Sequence, residues 1–284
     1  MQTQASETSQ LSIELRERIA VVTFRSVTLA RPFIADLVSA LKSLEADPAV
    51  HAIIFTGQRS VFMTGADRSE LASLQSKQQV EAFLATPHKL VRQFLTSKKL
   101  LVAAINGFCL GGGLEFALAC DFRTCAGDLT DNQGMDLPMF GFPEASLGVV
   151  PSVGGAYLAA RILGVVPARR LCLTGVRLSA SAALSGGLVD LVAKQAILVS
   201  VTEQWINTVL ARSSSYALMN IKRLINEGII GGLDHSMTLA SAALHSCCES
   251  GEKDEYLSRA HAGNCLEFKS RGEPSDLPVS LHSG

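Results

Sequence analysis

Two short runs, HAIIFTG at 51–57 and LLVAAING at 100–107, constrain this chain more than anything else in it. Each is a handful of β-branched or apolar residues closed by glycine, as expected of a strand buried on both faces that runs into a loop. A helical stretch lies between them, from about Val80 to Ser97 and interrupted at Pro87. Strand, helix, strand in that order argues for parallel β–α crossovers, and against a helical bundle or a sandwich.

The rest of the chain extends this pattern. Alternation in SIELRERIAVVTF (12–24) predicts two short strands with a turn near Arg16 to Arg18. PFIADLVSALKSLEAD then places Ile34, Leu37, Leu41 and Leu44 on one helical face, ended by Pro48. A third strand is expected over DFRTCAG, with further short strands flanking FGFPEASLG. Past Gly154 the pattern turns helical: AYLAARIL, PARRLCLTG, SASAALSGG, then AILVSVTEQWINTVLAR, where Ile197, Val201, Trp205 and Val209 share a face. Two more helices are expected near Tyr216 to Glu227 and Leu233 to Cys248.

Composition excludes several classes. A formal net charge of −1 gives no electrostatic reason to bind nucleic acid or an anionic membrane surface. The start, MQTQASETSQ, resembles no secretory signal, and no apolar run approaches the roughly 18 residues of a membrane span. The expectation is a cytoplasmic protein. Seven cysteines without CxxC spacing read as reduced core residues, and six scattered histidines without a ligand pattern predict no metal site.

The residues that can carry chemistry gather around LGGGLEF at 110–116. A strand runs into three glycines and a helix opens at about Leu114, where unpaired backbone N–H groups can receive an anion. On the loop alone, tight strand–helix packing fits equally well. Glu115 follows inside an apolar run, and a buried unpaired carboxylate costs several kcal/mol, so it needs a partner or a task. A companion strand leads into GAD at 65–67, which by itself is only a turn and a helix start. A second isolated carboxylate, Glu144, sits in MFGFPEASLGVVPSVGGAYLAARILG; a surface pairing with Arg161 or Arg169 is the structural alternative for it.

Taken in order, FTGQRSVFMTGADRSEL, AAINGFCLGGGLEFALACD, FGFPEASLGVVPSVGGAYLAARILG and LCLTGVRLSASAALSGGLVD resemble the enoyl-CoA hydratase/isomerase (crotonase) superfamily, from about Ser12 to Val192 and more loosely to Pro274. The resemblance implies an α/β fold with a crotonase-like ββα spiral core over 11–200, a helical trimerisation region over 201–271, and loose tails at 1–10 and 272–284. It implies an oxyanion hole from the amides of Ala66 and Gly112, and acid–base catalysis by Glu115 and Glu144. Arg59, Gly65, Asp67, Arg68 and Gly111 are implied as weaker substrate or CoA contacts. Phe268 and Arg271 match a C-terminal pattern that reaches a neighbouring subunit in a homotrimer or dimer of trimers. No cofactor is implied beyond the coenzyme A carried as part of the substrate, an acyl-CoA or an acyl-carrier-protein thioester.

Keeping both glutamates favours hydration or dehydration of a 2,3-enoyl thioester over isomerisation, decarboxylation or hydrolysis. It also argues against a non-catalytic acyl binder. The chain departs from the family pattern at Ser60 and Ser69, where basic residues are frequent, and in the N-terminal stretch FRSVTLARPFIADL. A further departure is the longer segment Asp128 to Pro138, which either caps the site or is a surface excursion.

Overall fold

A computed structural model describes residues 10–249 of the chain. The first hairpin joins β1 (Leu11–Arg16) to β2 (Ile19–Phe24), paired antiparallel from Leu11↔Phe24 to Arg16↔Ile19. Helix α1 (Arg31–Ala46) follows, with a proline in its first turn and Phe33, Ile34, Leu37, Leu41 and Leu44 buried along one face.

From there each crossover repeats one design. Strand β3 (Ala52–Thr56) bends at Gly57 into β4 (Val61–Met63); β5 (Leu100–Ile105) bends at Asn106 and Gly107 into β6 (Phe108–Leu110); β7 (Phe122–Ala126) leads on to β8 (Phe140–Gly141). The first member of each pair joins a six-stranded sheet in the order β1-β2-β3-β5-β7-β9, with β9 at Leu191–Ala193. The second members form a three-stranded sheet, β4-β6-β8. All pairings except β1 with β2 are parallel. The corner before β6 admits only glycine, because a Cβ on Gly107 would stand 2.0 Å from the Ser60 carbonyl oxygen. Strands β3 and β5 are buried at every position, as their unalternating sequences predict.

Three helices lie within or after these crossovers: α2 (Arg68–Ala72), α3 (Lys77–Thr96) and α4 (Gly112–Ala119). The layer between sheets and helices is aromatic. Phe116 of α4 meets the rings of Phe24, Phe55, Phe62 and Phe94 at centroid distances of 5.6, 5.3, 6.2 and 4.7 Å. A 3-10 helix (Glu144–Leu147) precedes α5 (Gly155–Leu163), α6 (Val165–Thr174) and α7 (Ala180–Ser185). After β9 come α8 (Leu198–Arg212) and α9 (Ser215–Glu249). Contacts divide the chain into two compact units after Glu203.

The structure corrects four expectations. Helix α3 continues through Pro87, which is buried within it; an interior proline costs about 3 kcal/mol, offset here by a Ser76/Gln79 capping box and by the burial of Leu90 and Phe94 on the same helix. Of the strands expected on both sides of FGFPEASLG, none lies directly beside it: β8 is the segment's own first two residues, Phe140–Gly141, and after Pro143 the chain coils into the 3-10 helix. On α8 the buried residues are Leu198, Val201, Thr202, Ile206 and Leu210, whereas Ile197 belongs to a separate 3-10 turn and is exposed. Helix α9 is one helix where two are expected, since glycines such as Gly228 and Gly231 weaken a helix by only about 1 kcal/mol each.

The segment 128–138 closes on itself as a small hairpin bridged at Thr130↔Asp136. Asp131 Oδ1 accepts from the amides of Gln133 and Met135 at 2.8 and 2.9 Å, a self-contained turn. Ser181 donates to Asp136 at 2.8 Å and the Gln195 amide donates to Asp128 at 2.7 Å. Residues 130–136 are exposed, and the hairpin is anchored outside itself through Ser181 and Gln195.

Among the described residues no helix is long and apolar enough to cross a membrane, and no group of three or more His, Cys, Asp and Glu is placed to hold a metal. Cys109, Cys120 and Cys125 are buried and Cys172 half-buried, and none of these four is in a disulfide.

Candidate active site

Two loops meet at the ends of β4 and β6. The loop after β4 is strapped down by backbone bonds: Thr64 donates to the Val27 carbonyl and Leu29 to that of Gly65, both at 2.8 Å. The loop after β6 is Gly111, at φ +53, whose amide donates to the Gly141 carbonyl at 2.9 Å and whose own carbonyl accepts from Leu114 and Glu115. A positive φ at that point turns the chain abruptly from strand to helix, which glycine does without strain. A Cβ on Gly65 would stand 2.8 Å from the Gly112 nitrogen, and one on Gly112 would stand 3.7 Å from the Ala66 nitrogen. The amides of Ala66 and Gly112 are therefore neighbours. Among the described residues neither has a protein acceptor.

Glu115 lies in the first turn of α4 and is only 2% exposed. Its Oε1 accepts two hydrogen bonds of 2.7 Å, from the amides of Val153 and Gly155 at the start of α5. Both bonds end on Oε1, which leaves Oε2 uncommitted. Burial pushes the carboxyl up to about 7, the two amides pull in the opposite direction, and the charge of Glu144 adds to the rise. A Cβ on Gly155 would stand 2.6 Å from Glu115 Cγ, so this close approach requires glycine.

Glu144 opens the 3-10 helix and is 8% exposed. Its Oε2 is buried without a hydrogen-bond partner, and burial raises its pKa above the usual carboxylate range. Neither Arg161 nor Arg169 forms an ion pair with it, so the surface-pairing alternative fails. Its Oε1 lies 2.9 Å from where a Cβ on Gly111 would stand, beside the two free amides. The Cys172 thiol on α6 is pushed up by burial and then by the charges of Glu144 and Glu115.

The flanking residues divide. Gly65 and Gly111 are buried at the convergence itself. Asp67 is the N-cap of α2, accepting from the amides of Ser69 and Glu70 and from the Ser69 hydroxyl; these bonds hold its carboxyl below the usual range. Arg68 and Arg59 are exposed, and Arg59, at φ +53, offers its carbonyl to Asn106 and Gln195. Phe268 and Arg271 lie outside the described residues. Sequence reasoning missed Val153 and Gly155. The signal was present: SVGG precedes a helix just as LGGG does, and the same unpaired helix-start amides follow from it.

Buried acids beside amides without a protein acceptor are an arrangement able to serve chemistry next to a carbonyl that becomes negative. Residues 14–255 match the enoyl-CoA hydratase/isomerase family, and the chain belongs to it. An enoyl-CoA hydratase structure from Geobacillus kaustophilus HTA426 superposes with a TM-score of 0.81 at 26% identity, covering 91% of this chain and 96% of that one. The structure of DspI from Pseudomonas aeruginosa gives a TM-score of 0.70 at 27% identity over 80% of this chain and 91% of the other. The fatty acid oxidation complex subunit alpha of Vibrio vulnificus (strain CMCP6) is 36% identical over 168 residues, which is 59% of this chain and 23% of that much longer protein.

Proposed function

We propose that this chain is an enoyl-CoA hydratase, adding water across the 2,3 double bond of an enoyl thioester or catalysing the reverse dehydration. The observation that carries this reading is the pair Glu115 and Glu144, both buried, both with raised pKa, beside the amides of Ala66 and Gly112. Two buried carboxyls close enough for the charge of one to raise the pKa of the other do not readily ionise together, so the pair holds one proton near neutrality.

The ionised carboxyl takes a proton from water as the water oxygen bonds to the β-carbon. The displaced π electrons move onto the thioester oxygen, where the two amides receive the charge; each such donor typically lowers the barrier by about 2.7 to 4 kcal/mol. The protonated carboxyl then gives its proton to the α-carbon as the enolate collapses. The pair ends with the one proton it began with. Isomerisation needs no activated water, and the second acid would then be superfluous.

The test is turnover of a short-chain 2-enoyl-CoA in water labelled with heavy oxygen. Loss of the conjugated thioester absorbance, with label on the β-carbon, is expected. Glu115→Gln and Glu144→Gln should each lower kcat by about 10² to 10⁴ with the fold intact. An unlabelled, shifted double bond, label only in a released carboxylate, or full activity in either variant would overturn the assignment.

A further inference from the structure

The carboxylate of Glu115 is oriented by a peptide group that is itself held from the other side. Ser152 and Val153 share one peptide unit: its N–H is the Val153 donor to Glu115 Oε1 at 2.7 Å, and its carbonyl oxygen lies 2.7 Å from Nε2 of His88. His88 projects from α3, 64 residues earlier in the chain, and α3 packs on α4, the helix that carries Glu115. We propose that His88 is a positioning residue for Glu115, acting through the 152–153 peptide.

The carbonyl can only accept, so the ring must present Nε2–H to it. That donation does two things. It pins a segment that has no regular structure between the 3-10 helix and α5, whose flanking residues 145–150 are exposed. It also polarises the peptide, so that the N–H on the opposite end is a stronger donor to Glu115. The two amides on Oε1 set which way Oε2 points, and a carboxylate misdirected by about 1 Å can lose on the order of 100-fold in rate. His88 is exposed and touches no reacting atom, so its role is geometric and electrostatic. The titratable group that acts on Glu115 from another element is Glu144 on the 3-10 helix; the Cys172 thiol on α6 feels the charges of both acids, and Arg161 of α5 is taken up over the Tyr157 ring.

The inference rests on the hydratase reading for its kinetic consequence, and a turnover-independent measurement separates the two. The full chain is compared with His88→Ala and His88→Gln, since a glutamine amide can donate to the same carbonyl. Hydration of a short-chain 2-enoyl-CoA is followed in parallel with titration of the Glu115 carboxyl by carbon NMR, Glu115→Gln supplying the assignment. In His88→Ala, kcat should fall at least about tenfold with KM within about twofold, because positioning of the reacting acid is lost while substrate binding is kept. The Glu115 carboxyl should titrate higher than in the parent, since the amide bonds that favour its charged form weaken. His88→Gln should restore both. Parent-like kcat and titration in His88→Ala, or equal impairment in both variants, would overturn the proposal. If the parent hydrates nothing but the titration moves and is restored, the positioning role stands and the hydratase reading falls.

Discussion

Glu115 is held between two opposed effects, and their balance has a measurable consequence for folding. Two amides at 2.7 Å favour its anion, yet burial outweighs them and leaves the carboxyl at about 7 against 4.5 for a free side chain. The folded chain therefore binds this proton more tightly than the unfolded chain. The contribution is fully present below about pH 4.5, is lost as pH rises toward 7, and stays lost above that. Ionised Glu115 thus destabilises the fold by up to about 3 kcal/mol at pH 8. Glu115→Gln keeps an acceptor for both amides and carries no charge, so the variant should be more stable than the parent at pH 8, with the difference vanishing toward pH 5. Thermal denaturation across that range checks this, and a pH-independent difference would show that burial does not govern the group.

At the scale of elements, α4 serves both the site and the core. Its first turn offers the Gly112 amide and Glu115, while the next residue, Phe116, is 3% exposed among four other phenylalanine rings. Phe116→Ala should lower stability by about 3 to 5 kcal/mol in denaturant titration, because no neighbour in so closed a cluster can collapse into the space. A loss below 1 kcal/mol would mean the cluster repacks. The face of α1 was legible because its buried positions are all apolar and recur at helical spacing. On α8 the pattern misleads: Thr202 is buried through a 2.7 Å hydroxyl bond to Thr124 on β7, a polar residue that any apolar count assigns to solvent. The glutamates and glycines of the site were legible as local anomalies, each out of place in its own segment. The amides of Val153 and Gly155 and the ring of His88 were not assigned, because their meaning depends on which distant carboxylate or carbonyl the fold brings to them.

Across the whole molecule, the site exists only where separate crossovers end together: Ala66 follows β4, Gly112 and Glu115 follow β6, and Glu144 follows β8. The parallel order β4-β6-β8 sets those three ends side by side, so the geometry is a property of the sheet rather than of any loop. Long-range attraction contributes little to this arrangement. The chain carries a formal net charge of −1, while the CoA thioester proposed as its substrate is a polyanion, so there is no global field to draw such a substrate in. Recognition must come from contacts within a Debye length, about 10 Å at 0.1 M salt. A rate dominated by steering falls steeply with ionic strength; here kcat/KM for a short-chain enoyl-CoA should change by less than about threefold between roughly 50 and 300 mM salt. A decline of about tenfold or more in steady-state assays would place a concentrated basic patch at the mouth of the site, and the exposed Arg59 and Arg68 are the side chains whose replacement would then have to abolish the salt dependence.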